Sequence, residues 1–422
     1  MTDELKQNAV AADDAELGVE GRAAQALEAL LAKKRIVICM GSGGVGKTTT
    51  SAVLALHAAI LGQKALVCTV DPAKRLANSL GVSELDDAAR EIPASTFAAL
   101  DTPAKGRLFA MMLDMKHAFD KVIARSAPDD ATRERVFGNR FYRYFTSSLA
   151  GTQEYSAIER LYELYEQAEY ELVLFDTAPT TYGLDFVDAP RKLFEALDSS
   201  VFQWFGNRGK ATGLGMGLVK LGAGYVIKVI SKFTGENFID DFGVFVNTMG
   251  GLWEDFKRRM ARARSILTSQ DLAVLIVSAA DPVSLEEARY LHDRLRQQQI
   301  PVGGFIVNRV HQSFVPQPVL AAAPSELARR LQHPSESSDS AANLEAFAAR
   351  LLTNAREFHH LADRDAEALA RLRKHVGEQL PVLAVPFFST DVHSFPGLDR
   401  MRRELFRKGP ALRPEERILG RL

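Results

Sequence analysis

Six short runs of almost wholly apolar residues are spread along the chain, and longer polar or helical segments separate them. A strand that is buried on both faces of a sheet has this appearance, because neither face needs the polar residues that give alternation. The runs predicted to be strands are 36–40, 65–70, 171–175, 272–278, 302–308 and 382–385. Strands and helices that alternate in this way predict an α/β fold, with a largely parallel sheet covered by helices on both faces.

Helical periodicity fills most of the intervals between these runs. Helices are predicted at 23–34, 47–61, 105–121, 133–144 and 284–298, and a short edge strand at 96–100. Residues 1–33 are predicted to form a flexible segment and a lead-in helix. The rest, 34–422, is predicted to be a single domain with helical insertions at about 105–165, 186–267 and 311–380.

A glycine-rich loop follows the first predicted strand and opens a helix. It reads Gly41-x-x-x-x-Gly46-Lys47-Thr48, the complete phosphate-binding (P-loop) pattern. Glycines let backbone N–H groups point at a phosphate, and the helix N-terminus adds partial positive charge. A turn that only joined strand to helix would not need Lys-Thr at this point. The predicted nucleotide contacts are Gly41, Ser42, Gly43, Gly44, Val45, Gly46, Lys47, Thr48 and Thr49.

Two aspartates end later apolar runs, at the edge of the sheet where open α/β folds bind their ligands. Asp176 follows the run 171–175, and such a carboxylate supports Mg²⁺ together with the loop hydroxyl of Thr48 in P-loop enzymes. Asp71 follows the run 65–70 and is placed to act beside the γ-phosphate. Asp71 also suits the N-cap of a helix beginning at Pro72, and the two roles are compatible.

The composition narrows the classes of function. Lys plus Arg number 52 and Asp plus Glu 53, which gives no electrostatic footprint for a nucleic acid. The N-terminal segment is acidic and has no apolar h-region, so a cytoplasmic protein is predicted. The two cysteines, Cys39 and Cys68, lie within predicted strands. There they are expected to be small buried residues and not a redox pair or metal ligands.

The segment 200–235 differs from the rest, because it is rich in glycine and large apolar residues. Lys210, Lys220 and Lys228 interrupt it too often for a membrane-spanning helix. Two interpretations stay open for this segment. One is a surface for a protein client or a membrane, and the other is a helical layer packed on the sheet or on a dimer partner.

The motifs GSGGVGKTTT, VDPAKRLANSLG and LFDTAPTTYGLDFVDAP resemble the arsenite-pump and tail-anchored-protein-targeting ATPase family of dimeric P-loop NTPases. The resemblance runs from Lys34 to about Pro386. It implies ATP and Mg²⁺ as cofactors, with Asp71 orienting the attacking water and Asp176 supporting the metal. It further implies that Asn308 reads adenine and that the segment around Pro386 closes over the base.

This sequence departs from that family at several points. The family's first loop lysine, which reaches into the nucleotide of the dimer partner, is Ser42 here. The zinc-binding Cys-x-x-Cys and the arsenite-binding cysteines are absent. The first hypothesis is a Mg²⁺-dependent ATPase whose nucleotide state switches a dimer that acts on a protein or membrane partner. The alternative is a weakly hydrolysing regulatory subunit of a heterodimer with a lysine-bearing paralogue.

Overall fold

A computed structural model of the chain describes residues 18–70, 75–98, 100, 102–113, 120, 123–124, 127, 129–139, 142, 152–177, 258, 261–262, 264–331 and 341–407. Several features named above lie wholly or largely outside these residues. They are Asp71, the flexible segment before residue 18, and most of the insertion at 186–267, which includes the segment 200–235.

The described residues form one eight-stranded sheet. Its strands are β1 (Ile36–Met40), β2 (Lys64–Thr69), β3 (Arg90–Glu91), β4 (Arg107–Met112), β5 (Leu172–Asp176), β6 (Leu272–Ala279), β7 (Val302–Val310) and β8 (Val382–Pro386). Their order is β3-β4-β2-β5-β1-β6-β7-β8. Every neighbouring pair is parallel except the β3–β4 pair, which is antiparallel. The predicted α/β fold with a largely parallel sheet is therefore confirmed.

Helices connect the strands and cover the sheet. They are α1 (Val19–Lys33), α2 (Lys47–Leu61), α3 (Arg75–Leu80), α4 (Ala94–Phe97), α5 (Asp130–Gly138), α6 (Thr152–Gln167), α7 (Pro282–Gln297), α8 (Gln317–Leu320), α9 (Pro324–Leu331), α10 (Ala341–Val376) and α11 (Phe395–Leu405).

The core lies on both faces of the sheet, and the central strand β1 is buried along its whole length. Its side chains alternate between the faces. Ile36, Ile38 and Met40 join the apolar cluster that holds the buried faces of α6 and α7. Val37 and Cys39 join the opposite cluster, which holds α1, α2 and α11. This two-sided burial explains why the strands read as continuous apolar runs.

Two predicted elements at one edge of the sheet were wrong. The helix expected at 105–121 is, in its first part, the strand β4, which pairs with β2 along its full length. The edge strand expected at 96–100 is instead the short helix α4, which begins after Pro93. Leu108 to Met111 are all buried between the two helical layers, so a run without β-branched residues nevertheless forms a strand.

Three helices, α8, α9 and α10, follow β7 within the described part of the segment 311–380. The helix α10 has 36 residues, and both α7 and α9 pack against it. Within the part of the chain that the structure describes, every helix is too short or too polar to cross a membrane.

Candidate functional site

The candidate site lies where β1, β2 and β5 end, at the carboxyl edge of the sheet. Asp176 is the last residue of β5, and β5 lies between the other two strands. The strand register places Cys39 opposite Asp176 on one side and Thr69 opposite Asp176 on the other. The glycine-rich loop leaves β1 one residue after Met40 and so passes over the same edge. Sheet register alone therefore brings the loop and the carboxylate together.

The loop depends on two glycines whose neighbours leave no room for a side chain. A Cβ on Gly41 would lie 2.0 Å from the backbone oxygen of Val277 in β6. A Cβ on Gly46 would lie 2.4 Å from Nδ2 of Asn308, and Gly46 has a φ of +98° that favours glycine. The loop is therefore pressed against β6 and β7, which limits the positions that it can take.

The helix α2 begins at this loop, with Gly46 as its N-cap residue. Glycine has no side chain to accept hydrogen bonds from the first turn, and the first turn of α2 contains no acidic residue. The N–H groups at a helix start have no intrahelical acceptors. An anion is the ligand that these groups and the helix dipole favour.

Lys47 turns back over the loop from the first position of α2. Its Nζ donates to the backbone oxygens of Gly41, at 2.9 Å, and Ser42, at 2.8 Å. The side chain is buried, with 6% of its surface exposed. The two carbonyl contacts hold the ammonium group at the mouth of the loop, where a phosphate would meet it.

The carboxylate of Asp176 is completely buried, and two threonines donate to the same oxygen of it. Thr48 Oγ1 lies 2.6 Å from Oδ2, and Thr69 Oγ1 lies 2.8 Å from the same atom. These bonds join the end of β5 to the P-loop helix and to the end of β2. Hydrogen bonds to a charged group are among the stronger ones, so they fix the direction of the carboxylate.

The two residues assigned to the base lie on β7 and β8. Asn308 donates from Nδ2 to the backbone oxygen of Val45 at 3.0 Å, while its Oδ1 accepts from the N–H of Arg309 at 2.9 Å. Pro386 is buried at the end of β8 and is paired with Val310. Asn308 thus contacts the phosphate loop directly, a role that the sequence did not suggest.

Sequence reasoning missed the contribution of two threonines. Thr69 is the last residue of β2, and a polar residue at that point of a buried strand is the signal that identifies it. Thr177 follows Asp176, and its Oγ1 donates to the backbone oxygen of Cys39 at 3.0 Å. Thr177 thus ties the exit of β5 to β1, which helps to hold Asp176 in place.

The residues present fit a nucleotide with a magnesium ion. The uncapped start of α2 and the Lys47 ammonium group form a cradle for phosphate oxygens. Thr48 and Asp176 offer a hydroxyl and a carboxylate, which are the oxygen ligands that Mg²⁺ prefers.

Thiolate chemistry has no support at this site. Cys39 is free and buried beneath the loop, and burial raises the pKa of its thiol to about 12. Burial also raises the pKa of Cys68. Because soft metals are bound by thiolates, two protonated buried thiols do not provide such ligands at neutral pH.

Comparison with known proteins finds similarity over a stretch that includes the P-loop and Asp176. A family model described as anion-transporting ATPase matches residues 34–322. The chain is 29% identical over 177 residues to "ATPase GET3" of Malassezia globosa, covering 42% of this chain and 47% of the relative. A protein of the same name from Paracoccidioides lutzii is 31% identical over 175 residues, covering 40% and 48%.

A third relative extends the similarity further along the chain. The protein of Lachancea thermotolerans, also named "ATPase GET3", is 25% identical over 279 residues, covering 64% of this chain and 70% of the relative. The chain spans about half the length of the first two relatives.

Proposed function

Because the chain belongs to the anion-transporting ATPase family, we propose that it binds ATP together with Mg²⁺ and hydrolyses the terminal phosphate. The observation that carries this proposal is the contact between Thr48 and Asp176, 2.6 Å long, beside the loop that holds Lys47. A phosphate cradle and a buried carboxylate that meet at one sheet edge are what phosphoryl transfer requires.

Each residue of the site has a proposed role. Lys47 would contact the β- and γ-phosphates in place of its two carbonyl oxygens. Thr48 with Asp176 would hold Mg²⁺, which would supply positive charge to the phosphate oxygens. Asn308 and Pro386 border the adenine base. The loop residues assigned to the phosphates are Gly41, Ser42, Gly43, Gly44, Val45, Gly46 and Thr49.

Asp71 is proposed to orient the attacking water. It lies outside the described residues, two positions after Thr69, whose hydroxyl contacts Asp176. A carboxylate at that point of the chain follows the strand that flanks the site. The resemblance noted above assigns the same role to this position.

We extend the proposal to a dimer whose nucleotide state is read by a partner. Ser42 sets the form of this extension, because the resemblance noted above implies at this position a lysine that serves the other subunit. A homodimer would place serine at both sites, whereas a lysine-bearing paralogue would complete one of them. A protein client or a membrane surface, contacted through 200–235, is the proposed partner. The balanced charge gives no reason to propose a nucleic acid.

Calorimetry of nucleotide binding tests the assignment of the site. Lys47→Ala removes the ammonium group from a side chain that points over the loop, so the sheet should remain folded while affinity for ATP with Mg²⁺ falls by at least about 100-fold. Lys105→Ala, on the loop before β4, is the matched control and should bind like the unmodified chain. Unchanged ATP affinity in Lys47→Ala, with the fold intact by circular dichroism, would refute the assignment.

A further inference from the structure

A second cluster of metal-ligating side chains lies away from the nucleotide site, where α7 packs against the end of α10. His292 and Asp293 are neighbours on α7, and His375 lies in the last turn of α10. One ligand atom of each residue lies within 4.8 Å of the others. These three residues come from segments of the chain that are more than eighty positions apart, so the cluster is a product of the fold.

The two imidazoles converge on a single carboxylate oxygen. His292 Nδ1 lies 3.1 Å from Asp293 Oδ1, and His375 Nε2 lies 3.2 Å from the same atom. In a tetrahedral site with bonds of about 2.0–2.1 Å, neighbouring ligand atoms are about 3.3–3.4 Å apart. Both contacts are within a few tenths of an ångström of that value. Each nitrogen is therefore already at a distance from Asp293 Oδ1 that suits two ligands of one metal ion, and the side chains would turn to make room for the ion.

The exposure of the three side chains fits a metal ion that has three protein ligands and a fourth position open to solvent. His292 is buried, with 1% of its side chain exposed, whereas Asp293 and His375 are 50% and 27% exposed. The carbonyl end of α10 adds partial negative charge beside His375. Solvent can reach the exposed side and supply a fourth ligand.

The guanidinium group of Arg289 opposes metal binding at His375. A guanidinium nitrogen of Arg289 lies 3.5 Å from Nδ1 of His375, and the other terminal nitrogen lies 3.0 Å from Glu286. A metal on Nε2 needs the ring proton on Nδ1, which a guanidinium donor opposes. Arg289 must therefore turn towards Glu286 when the metal binds, and its removal should favour binding.

We propose that His292, Asp293 and His375 form a binding site for a divalent transition metal, with zinc as the best fit, that fastens the end of α10 to α7. Two imidazoles and one carboxylate are the ligand set that suits Zn²⁺ rather than Mg²⁺ or Ca²⁺. The site is independent of the P-loop. It would fix the 36-residue helix α10 against the half of the sheet that carries Asn308.

The test uses the full chain, freed of metal by a chelator and titrated with Zn²⁺ alone. One equivalent should bind, and the midpoint of thermal unfolding should rise. Co²⁺ in place of Zn²⁺ should give the visible absorption of a tetrahedral complex. His375→Ala and Asp293→Asn change exposed side chains that leave the fold intact, and each should weaken Zn²⁺ binding by about 100-fold or more.

Two further variants make the test selective. His360→Ala changes an exposed histidine on the same helix outside the cluster and should leave Zn²⁺ affinity unchanged. Arg289→Met should bind Zn²⁺ more tightly than the unmodified chain. The proposal would be overturned if His375→Ala and Asp293→Asn bound Zn²⁺ as tightly as the unmodified chain. It would also be overturned if the unmodified chain did not bind Zn²⁺.

Discussion

At the scale of single residues, the candidate site is organised by one buried carboxylate. Asp176 accepts from Thr48 and Thr69, so one oxygen atom joins the ends of β2 and β5 to the start of α2. Lys47 is held by two backbone carbonyls of its own loop. The two charged groups that the proposed phosphoryl transfer uses are thus each held by short contacts within the protein, which lowers the cost of organising the site.

Replacing Thr69 with valine tests this organisation. Thr69→Val keeps the volume of the side chain and removes the hydroxyl that donates to Asp176. A hydrogen bond to a charged group contributes about 1.5–3 kcal/mol, so the Mg²⁺ concentration that gives half-maximal ATP hydrolysis should rise roughly ten-fold or more. ATP binding without Mg²⁺ should change little.

Thr50→Val is the control for that variant. Thr50 lies in the first turn of α2, is fully buried, and its hydroxyl has no hydrogen-bond partner among the described residues. Its replacement should leave the Mg²⁺ dependence unchanged. Equal Mg²⁺ dependence in Thr69→Val and the unmodified chain would show that Thr69 does not position Asp176.

At the scale of elements, the apolar runs predicted the central strands to within a few residues, because strands buried on both faces have a distinct pattern. The edge of the sheet did not follow from sequence. β4 contains alanine and methionine and no β-branched residue, so its short apolar run is equally compatible with a buried helix. Only its pairing with β2 decides the matter, and pairing partners are not visible in a single sequence.

The site was more predictable than the edge of the sheet, for a physical reason. The P-loop pattern specifies backbone geometry and charge locally, so Lys47 and Thr48 could be assigned from adjacent residues. Contacts that depend on register could not be found in this way. The approach of Asn308 to Gly46 and of Val277 to Gly41 brings the loop against strands that are far from it in sequence.

The helix α7 provides a prediction at this scale. Asp281 is its N-cap residue and accepts from the N–H of Ser284 at 2.9 Å. Asp281→Ala removes that acceptor and should lower the free energy of unfolding by about 1 kcal/mol, measured by chemical denaturation. Ser284→Ala keeps the backbone donor and should cost less. A larger loss in Ser284→Ala than in Asp281→Ala would contradict the capping role.

At the scale of the whole molecule, the question is which subunit completes the charge around the phosphate. The P-loop supplies Lys47 within the chain, but in the proposed dimer the position that would serve a partner subunit is Ser42. A hydroxyl cannot replace a cation at that point. The loss of a comparable charge supplied in trans costs on the order of 10³ in rate in other P-loop enzymes.

Turnover of Ser42→Lys tests the dimer proposal. The chain alone should hydrolyse ATP slowly, and Ser42→Lys should raise the rate if two copies exchange this side chain. Ser42→Ala is the control and should remain slow. A paralogue that co-purifies with the chain should raise the rate in the same way. The dependence on a second subunit would be contradicted if the unmodified chain hydrolysed ATP fast and neither Ser42→Lys nor such a paralogue raised the rate.

The most direct test of the central claim is a single-turnover measurement of phosphate release from ATP, with the chain in excess and Mg²⁺ present. The account predicts release by the unmodified chain, no release above background by Lys47→Ala, and loss of release without Mg²⁺. Asp71→Asn should bind ATP normally and release phosphate far more slowly. Release at the same rate from Lys47→Ala and the unmodified chain would contradict the claim that this loop is the site of hydrolysis.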